Sequence, residues 1–153
     1  MAKIEDVMHA LQKADGVRQD YRPPSRDEIE AAEESLGEEL PPSFRRFLKL
    51  WDGLTPDFLN ILAIDGTMEE APGIVETNEQ QRAEGLPEYL IAFHTDGVGS
   101  YMVFDTRSRN DRNECAIRTW DLELSPEENL DEIGDPDSEH EESFADWMLE
   151  QIT

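Results

Sequence analysis

Along this chain apolar side chains fall at helical spacing near both ends and crowd into strand-like runs between them. Ile4, Val7, Met8 and Leu11 form one stripe, which predicts a first helix over residues 3–15 with Gly16 as its C′ residue. Val17 to Arg22 reads as a connector. Ser25 followed by Glu28 is a capping box, and Ile29, Ala32 and Leu36 then recur at helical spacing. Gly37 stands where a left-handed residue closes a helix. Leu40-Pro41-Pro42 forces extended backbone, since a residue before proline avoids the α region, and Pro42 suits the first position of a new helix. Phe44, Phe47, Leu48 and Trp51 supply the apolar stripe of that helix, and Asp52-Gly53 ends it.

The middle of the chain changes period. Phe58 to Ile64 is apolar enough for a buried strand closed by Asp65-Gly66. A short helix is predicted from about Ile74 to Ala83. Leu90–His94 and Ser100–Arg107 flank Thr95-Asp96-Gly97-Val98-Gly99, a hairpin signal. Tyr101, Val103 and Asp105 alternate with Met102, Phe104 and Thr106, so the second of these strands is expected to be covered on both faces. Cys115–Leu122 reads as a further strand and Ser125–Glu142 as an irregular acidic loop. Ser143 caps a last helix with Phe144, Trp147, Met148 and Ile152 inward. Helices at the start, strands in the middle and a helix at the end predict an α+β fold, with helices packed around a mostly antiparallel central sheet in a single domain.

Charge alters this picture more than composition does. Thirty-seven acids against thirteen bases give −24 over 153 residues. Arg118 is the last Lys or Arg: residues 119–153 carry −13 of that total and residues 1–118 the remaining −11. Such a field repels nucleic acid and anionic membrane and attracts cationic proteins. A proteome adapted to high salt would account for the total; the unevenness favours a partner. The candidate docking residues are Asp121, Glu123, Glu127, Glu128, Asp131, Glu132, Asp135 and Asp137. Phe58, Tyr89, Tyr101 and Trp120 are aromatic anchors if exposed, although core placement is the plainer expectation for each. With no signal-like or membrane-spanning apolar run, a cytoplasmic protein is expected.

Little points to catalysis. The three histidines are far apart and Cys115 lies in a strand-like run, so zinc ligation is not expected. His94 is expected to end a strand beside the hairpin turn. Asp96-Gly97-Val98-Gly99 lacks the strand-to-helix context and the Lys-Ser/Thr of a phosphate-binding loop. Asp135 to Glu139 lacks the central glycine and final glutamate of a calcium loop. Arg107, Arg109 and Arg112 are expected to pair with neighbouring acids rather than bind phosphate. No catalytic, cofactor-binding or metal site is assigned.

The order Pro24, Leu36-Gly37, Leu40-Pro41, Phe44, Phe47-Leu48, Trp51 and Gly53 resembles the N-terminal motif of the SUKH superfamily, which contains the fungal regulator of cell-wall synthesis and many bacterial immunity proteins. Ile74 to Asn78, Tyr89 to Phe93 with Asp96-Gly97 and Gly99, and Ser143 to Ile152 are similar to its later segments. The resemblance covers most of the chain after about Arg22, leaving residues 1–22 as an N-terminal helix and connector before a family-like core over 23–153. It implies a non-enzymatic protein-binding domain without a cofactor, an immunity protein that neutralises a cognate toxin, often a nuclease. The alternative is a cytoplasmic regulator or scaffold of the cell-wall synthesis type. The long acidic segment before the last helix departs from the family's pattern.

Overall fold

A computed structural model describes residues 2–56, 59–68, 72–135 and 143–152. In chain order the elements are α1 (Ile4–Lys13), β1 (Val17–Arg18), α2 (Arg26–Leu36), α3 (Pro42–Leu50), β2 (Leu54–Thr55), β3 (Asn60–Ile61), α4 (Ile74–Ala83), β4 (Leu90–Thr95), β5 (Ser100–Arg109), β6 (Cys115–Asp121), α5 (Pro126–Ile133) and α6 (Phe144–Ile152). The fold is α+β as expected, with an antiparallel sheet in the order β3-β4-β5-β6 and a smaller antiparallel pair, β1-β2.

The predicted helix–corner–helix is present in detail. The Ser25 hydroxyl accepts from the Glu28 N–H while the Glu28 carboxylate accepts from the Ser25 N–H. Gly37 closes α2 at φ +82°, and Pro41-Pro42 opens α3. Phe44 then forms the centre of the core: its ring lies 4.9 to 6.4 Å from those of Phe47, Phe93, Phe104 and Phe144. Four elements, α3, β4, β5 and α6, thus converge on one ring cluster, and offset or edge-on arrangements of this kind add to the burial itself. On β5, Val103, Phe104 and Asp105 are all buried, so the strand is covered on both faces.

Several expectations need correction. Gly16 is not the C′ residue of α1, which ends at Ala14 in extended backbone. Gly16 is instead required by proximity, because a Cβ there would stand 2.4 Å from the Thr55 carbonyl oxygen. The Val17–Arg22 connector contains β1, paired with Leu54 and Thr55, and Tyr21 bridges to Met68. The strand expected over 58–64 pairs only at Asn60 and Ile61 among the described residues. After Leu62 donates to the Phe93 carbonyl, the Ala63 carbonyl turns to receive the Ile74 N–H. Most consequential, Ser125–Glu142 is not one irregular loop. Residues 126–133 are helical, opened by a second capping box, Ser125 with Glu128, and by Pro126 at the helix start.

Candidate protein-binding surface

The acidic residues singled out from sequence are presented by α5. Asn129 and Ile133 form its buried face, while Glu127, Glu128, Asp131 and Glu132 form the exposed one. Asn129 anchors the helix to the end of β6: its Oδ1 accepts from the Asp121 N–H at 2.8 Å and its Nδ2 donates to the Asp121 carbonyl at 2.8 Å. Pro126 packs so closely over Gly85 that a Cβ on Gly85 would stand 2.5 Å from the Pro126 Cγ. The acidic face is therefore held rigidly to the sheet. Asp121 is half-buried and Glu123 exposed at the strand exit, and Asp135 is exposed just past the helix. Asp137 lies outside the described residues, as do Phe58 and the rest of 136–142.

Two apolar residues that sequence reasoning passed over complete the surface. The Leu122 N–H donates to the Gly99 carbonyl at 2.8 Å, which joins the β6 exit to the β4–β5 turn. Val98 at that turn is 86% exposed and Leu122 46%. Asp96 beside them accepts from the backbone N–H groups of Val98, Ser100 and Gly99, and these bonds, Val98 first, hold its carboxyl below the ordinary range. An apolar pair with ionised carboxylates around it is the composition of an interface anchor with a charged rim. The sequence signal was an apolar residue between two turn glycines, where no fold requirement places one. The proposed aromatic anchors face inward instead: Trp120 is buried, and Tyr89 and Tyr101 are half-buried against the core.

Arginines reach only some of the described carboxylates. Glu5, Glu28, Glu30, Glu33, Glu38 and Asp52 each have an arginine within 4.0 Å. Buried Asp105 takes two, Arg107 at 3.0 Å and Arg118 at 3.4 Å, and the Arg107 guanidinium lies 4.2 Å over the Tyr89 ring. Arg109 is held by Glu38 and by the Glu39 carbonyl. Arg107 and Arg109 are thus engaged within the fold, as the sequence led one to expect. Among the described residues no ion pair is drawn from Asp121, Glu123, Glu127, Glu128, Asp131 or Glu132. Glu127 and Glu128 suit the positive end of the helix dipole, whereas Asp131 and Glu132 oppose its negative end, with no basic residue in the last turn.

The family model SUKH_5, described as SMI1-KNR4 cell-wall, matches residues 4–153. The chain belongs to the SUKH family. The match includes α1, so the SUKH region extends N-terminal to the motif recognised from sequence. A crystal structure of a protein from Pseudomonas syringae pv. tomato is similar to this SUKH chain at a TM-score of 0.55 and 19% identity, over 76% of this chain and 89% of its own, a likeness of fold. No curated protein matches. The motif residues Pro24, Leu36, Leu40, Phe44, Phe47, Leu48 and Trp51 are all buried, so what marks the chain as SUKH is its core, not its acidic surface.

Other chemistry is sparse. Buried His94 packs edge-on to Trp147 at 5.1 Å between centroids, on β4, which runs one residue further to Thr95 before the turn. Buried Cys115 has its thiol pushed up to about 12 by desolvation. Among the described residues no group of three His, Cys, Asp or Glu is placed to hold a metal ion, and no helix is long and apolar enough to cross a membrane.

Proposed function

We propose that this SUKH protein is a non-enzymatic binding protein that neutralises a cationic protein partner, a toxin domain of nuclease type, by seating α5 and the adjoining hairpin tip on the partner's basic cleft. The observation that carries this reading is the concentration of exposed carboxylates on one face of α5. Glu127, Glu128, Asp131 and Glu132 share that face, and among the described residues no arginine or lysine pairs with any of them. A partner that brings cations supplies the counter-ions, and long-range attraction speeds the encounter. A nuclease must present positive charge to phosphate, which makes its cleft the natural counterpart. The mechanism is occlusion, with no cofactor and no bond made or broken, in the cytoplasm of the cell that must be protected.

The family description, SMI1-KNR4 cell-wall, favours a second reading, a regulatory or scaffold protein of cell-wall synthesis. One experiment addresses both. Tagged protein is used to capture partners from a lysate of its source at low and high salt, alongside a variant carrying Glu127→Lys and Asp131→Lys. Glu128 is left in place because it caps α5. The expected result is one basic protein, lost with salt and with the variant, whose hydrolysis of nucleic acid the parent inhibits. Capture of cell-wall enzymes by both forms alike would favour the regulator, and no difference between parent and variant would refute the docking face.

A further inference from the structure

Leu50, at the end of α3, is 49% exposed. It lies off the stripe of Phe44, Phe47, Leu48 and Trp51 that holds α3 to the core, so folding gives no reason for an apolar residue there. Leu50 borders a groove of about 430 Å³ between α1, the end of α3 and β2. Buried Leu11 and Trp51 and half-buried Met8 and Leu54 line it.

Charge beside this groove differs from that of the chain. Glu5 at its edge is paired with Arg46, and Asp52 with Arg18 at 2.6 Å. Both pairs are solvent-exposed, so each holds its members weakly and leaves them able to exchange partners. Lys49, one residue before Leu50, is exposed and takes part in no ion pair among the described residues. Three cations thus stand with two anions, in a chain whose total is −24. Among the described residues, none from α5, β6 or the β4–β5 turn lines the groove.

We propose that this groove is where a second copy of the chain docks about a twofold axis, with Leu50 of each copy seated against Met8 and Leu54 of the other. A cationic partner of the kind α5 attracts is met here by Arg18, Arg46 and Lys49. A second copy brings both signs: Glu5 and Asp52 of one face cations of the other, and twofold symmetry supplies every such contact twice. Pairing also removes both Leu50 side chains from water. Repulsion between two chains of −24 opposes the approach, but salt screens it over about 8 Å at physiological strength without weakening apolar contact. Association therefore rises with salt, the opposite of capture through α5. A contact centred on one small groove belongs to the transient class, so it depends on concentration. The proposal goes beyond the partner-binding reading and uses none of its docking residues, so a dimer carries two free acidic faces.

The test is sedimentation equilibrium of the full chain from about 10 μM to about 1 mM, at low and high salt, with amide NMR on dilution. The expected mass climbs from one chain towards two with concentration, more steeply at high salt. Dilution shifts are expected at Met8, Leu50 and Leu54 and not at Glu127 or Asp131. Leu50→Lys places a cation where the helix dipole favours one and reduces the net repulsion, yet it should weaken association by roughly tenfold or more. A single-chain mass up to about 1 mM at high salt would overturn the proposal, as would a dimer indifferent to Leu50→Lys. A dimer lost in Val98→Asp with Leu122→Asp would place the contact at the hairpin tip and overturn the groove. If the parent stays monomeric and Leu50→Lys abolishes capture of the natural partner, the groove belongs to that partner and not to a second copy. Glu127→Lys with Asp131→Lys reads the docking face separately, so either reading fails without the other.

Discussion

Asn78 meets Ala92 as one strand meets another. The Ala92 N–H donates to Asn78 Oδ1 at 2.8 Å and Asn78 Nδ2 donates to the Ala92 carbonyl at 3.0 Å, with the same amide also bonding the Ile74 carbonyl at 2.7 Å. A fully buried side chain of α4 thus stands in where β3 has already turned away from β4. Removing it strands two buried peptide groups, each costing about 1–3 kcal/mol. Asn78→Ala is expected to lower stability by about 2–5 kcal/mol in urea unfolding. A loss below about 1 kcal/mol would mean that water replaces the amide.

Phe44 touches four other phenylalanine rings, so its truncation opens a cavity that no neighbour can fill without leaving another ring. Phe44→Ala, Phe47→Ala and Trp51→Ala should each cost about 3–5 kcal/mol. If Phe44→Ala costs no more than a surface substitution, the ring cluster is not the folding core.

Gly16 and Gly37 make a paired test. Gly37 has φ +82° with open space around it, so Gly37→Ala carries only the left-handed penalty of about 1–2 kcal/mol. Gly16→Ala should cost more, by driving Thr55 away and breaking the β1–β2 pair. Thermal unfolding of both variants ranks them, and the reverse order would discard the steric account.

Desolvation raises the Cys115 thiol from an ordinary value of 9.0 to about 12. The neutral thiol is the form the fold accepts, so its contribution is complete below pH 9 and is lost as pH rises through about 12. Native protein at pH 8 should resist a disulfide reagent that modifies it at once in urea. Rapid labelling of the native form would refute burial as the cause of the raised thiol pKa.

Glu28 has the opposite sign. The Arg22 guanidinium first, and then the Ser25 N–H, hold its carboxyl at about 2 rather than 4.5. What the ionised carboxylate contributes is present above pH 4.5 and is lost as pH falls through about 2. A stability gap between parent and Glu28→Gln should exist at pH 7 and close by pH 2. NMR titration of Glu28 in Arg22→Ala should show a higher midpoint, and an unmoved midpoint would remove Arg22 as the cause.

Val98→Asp with Leu122→Asp should leave stability within about 0.5 kcal/mol, since both side chains are largely exposed, yet weaken partner capture. Unchanged capture would leave the acids alone as the contact.

What the sequence made legible was local. Ser25–Glu28, Gly37 and Pro41-Pro42 each act within a few residues of themselves, and the helices they bound were read correctly. Ser125-Pro126-Glu127-Glu128 carries the same signal, but the acidity of the segment and its Pro126, Gly134 and Pro136 point to a loop; Asn129 and Ile133 on one face stabilise the helix against that repulsion. The short pair β1-β2 could not be read, since each strand is two residues long and its partner lies far along the chain. The acidic residues were named from charge alone, but their lack of counter-ions depends on where every arginine folds to. The exposure of Val98 and Leu122 follows from register and turn placement, which no spacing in the sequence displays.

The anchoring of α5 has a consequence for how such a protein changes over generations. Asn129 and Ile133 tie the helix to the fold, whereas Glu127, Asp131 and their exposed neighbours support nothing beneath them, apart from the capping role of Glu128. Mutations on the outer face are therefore nearly free of folding consequences and, on the proposed reading, can be sifted for fit to a changing partner, while the phenylalanine cluster keeps the lineage folded. One scaffold can in this way follow a succession of targets without passing through an unfolded ancestor.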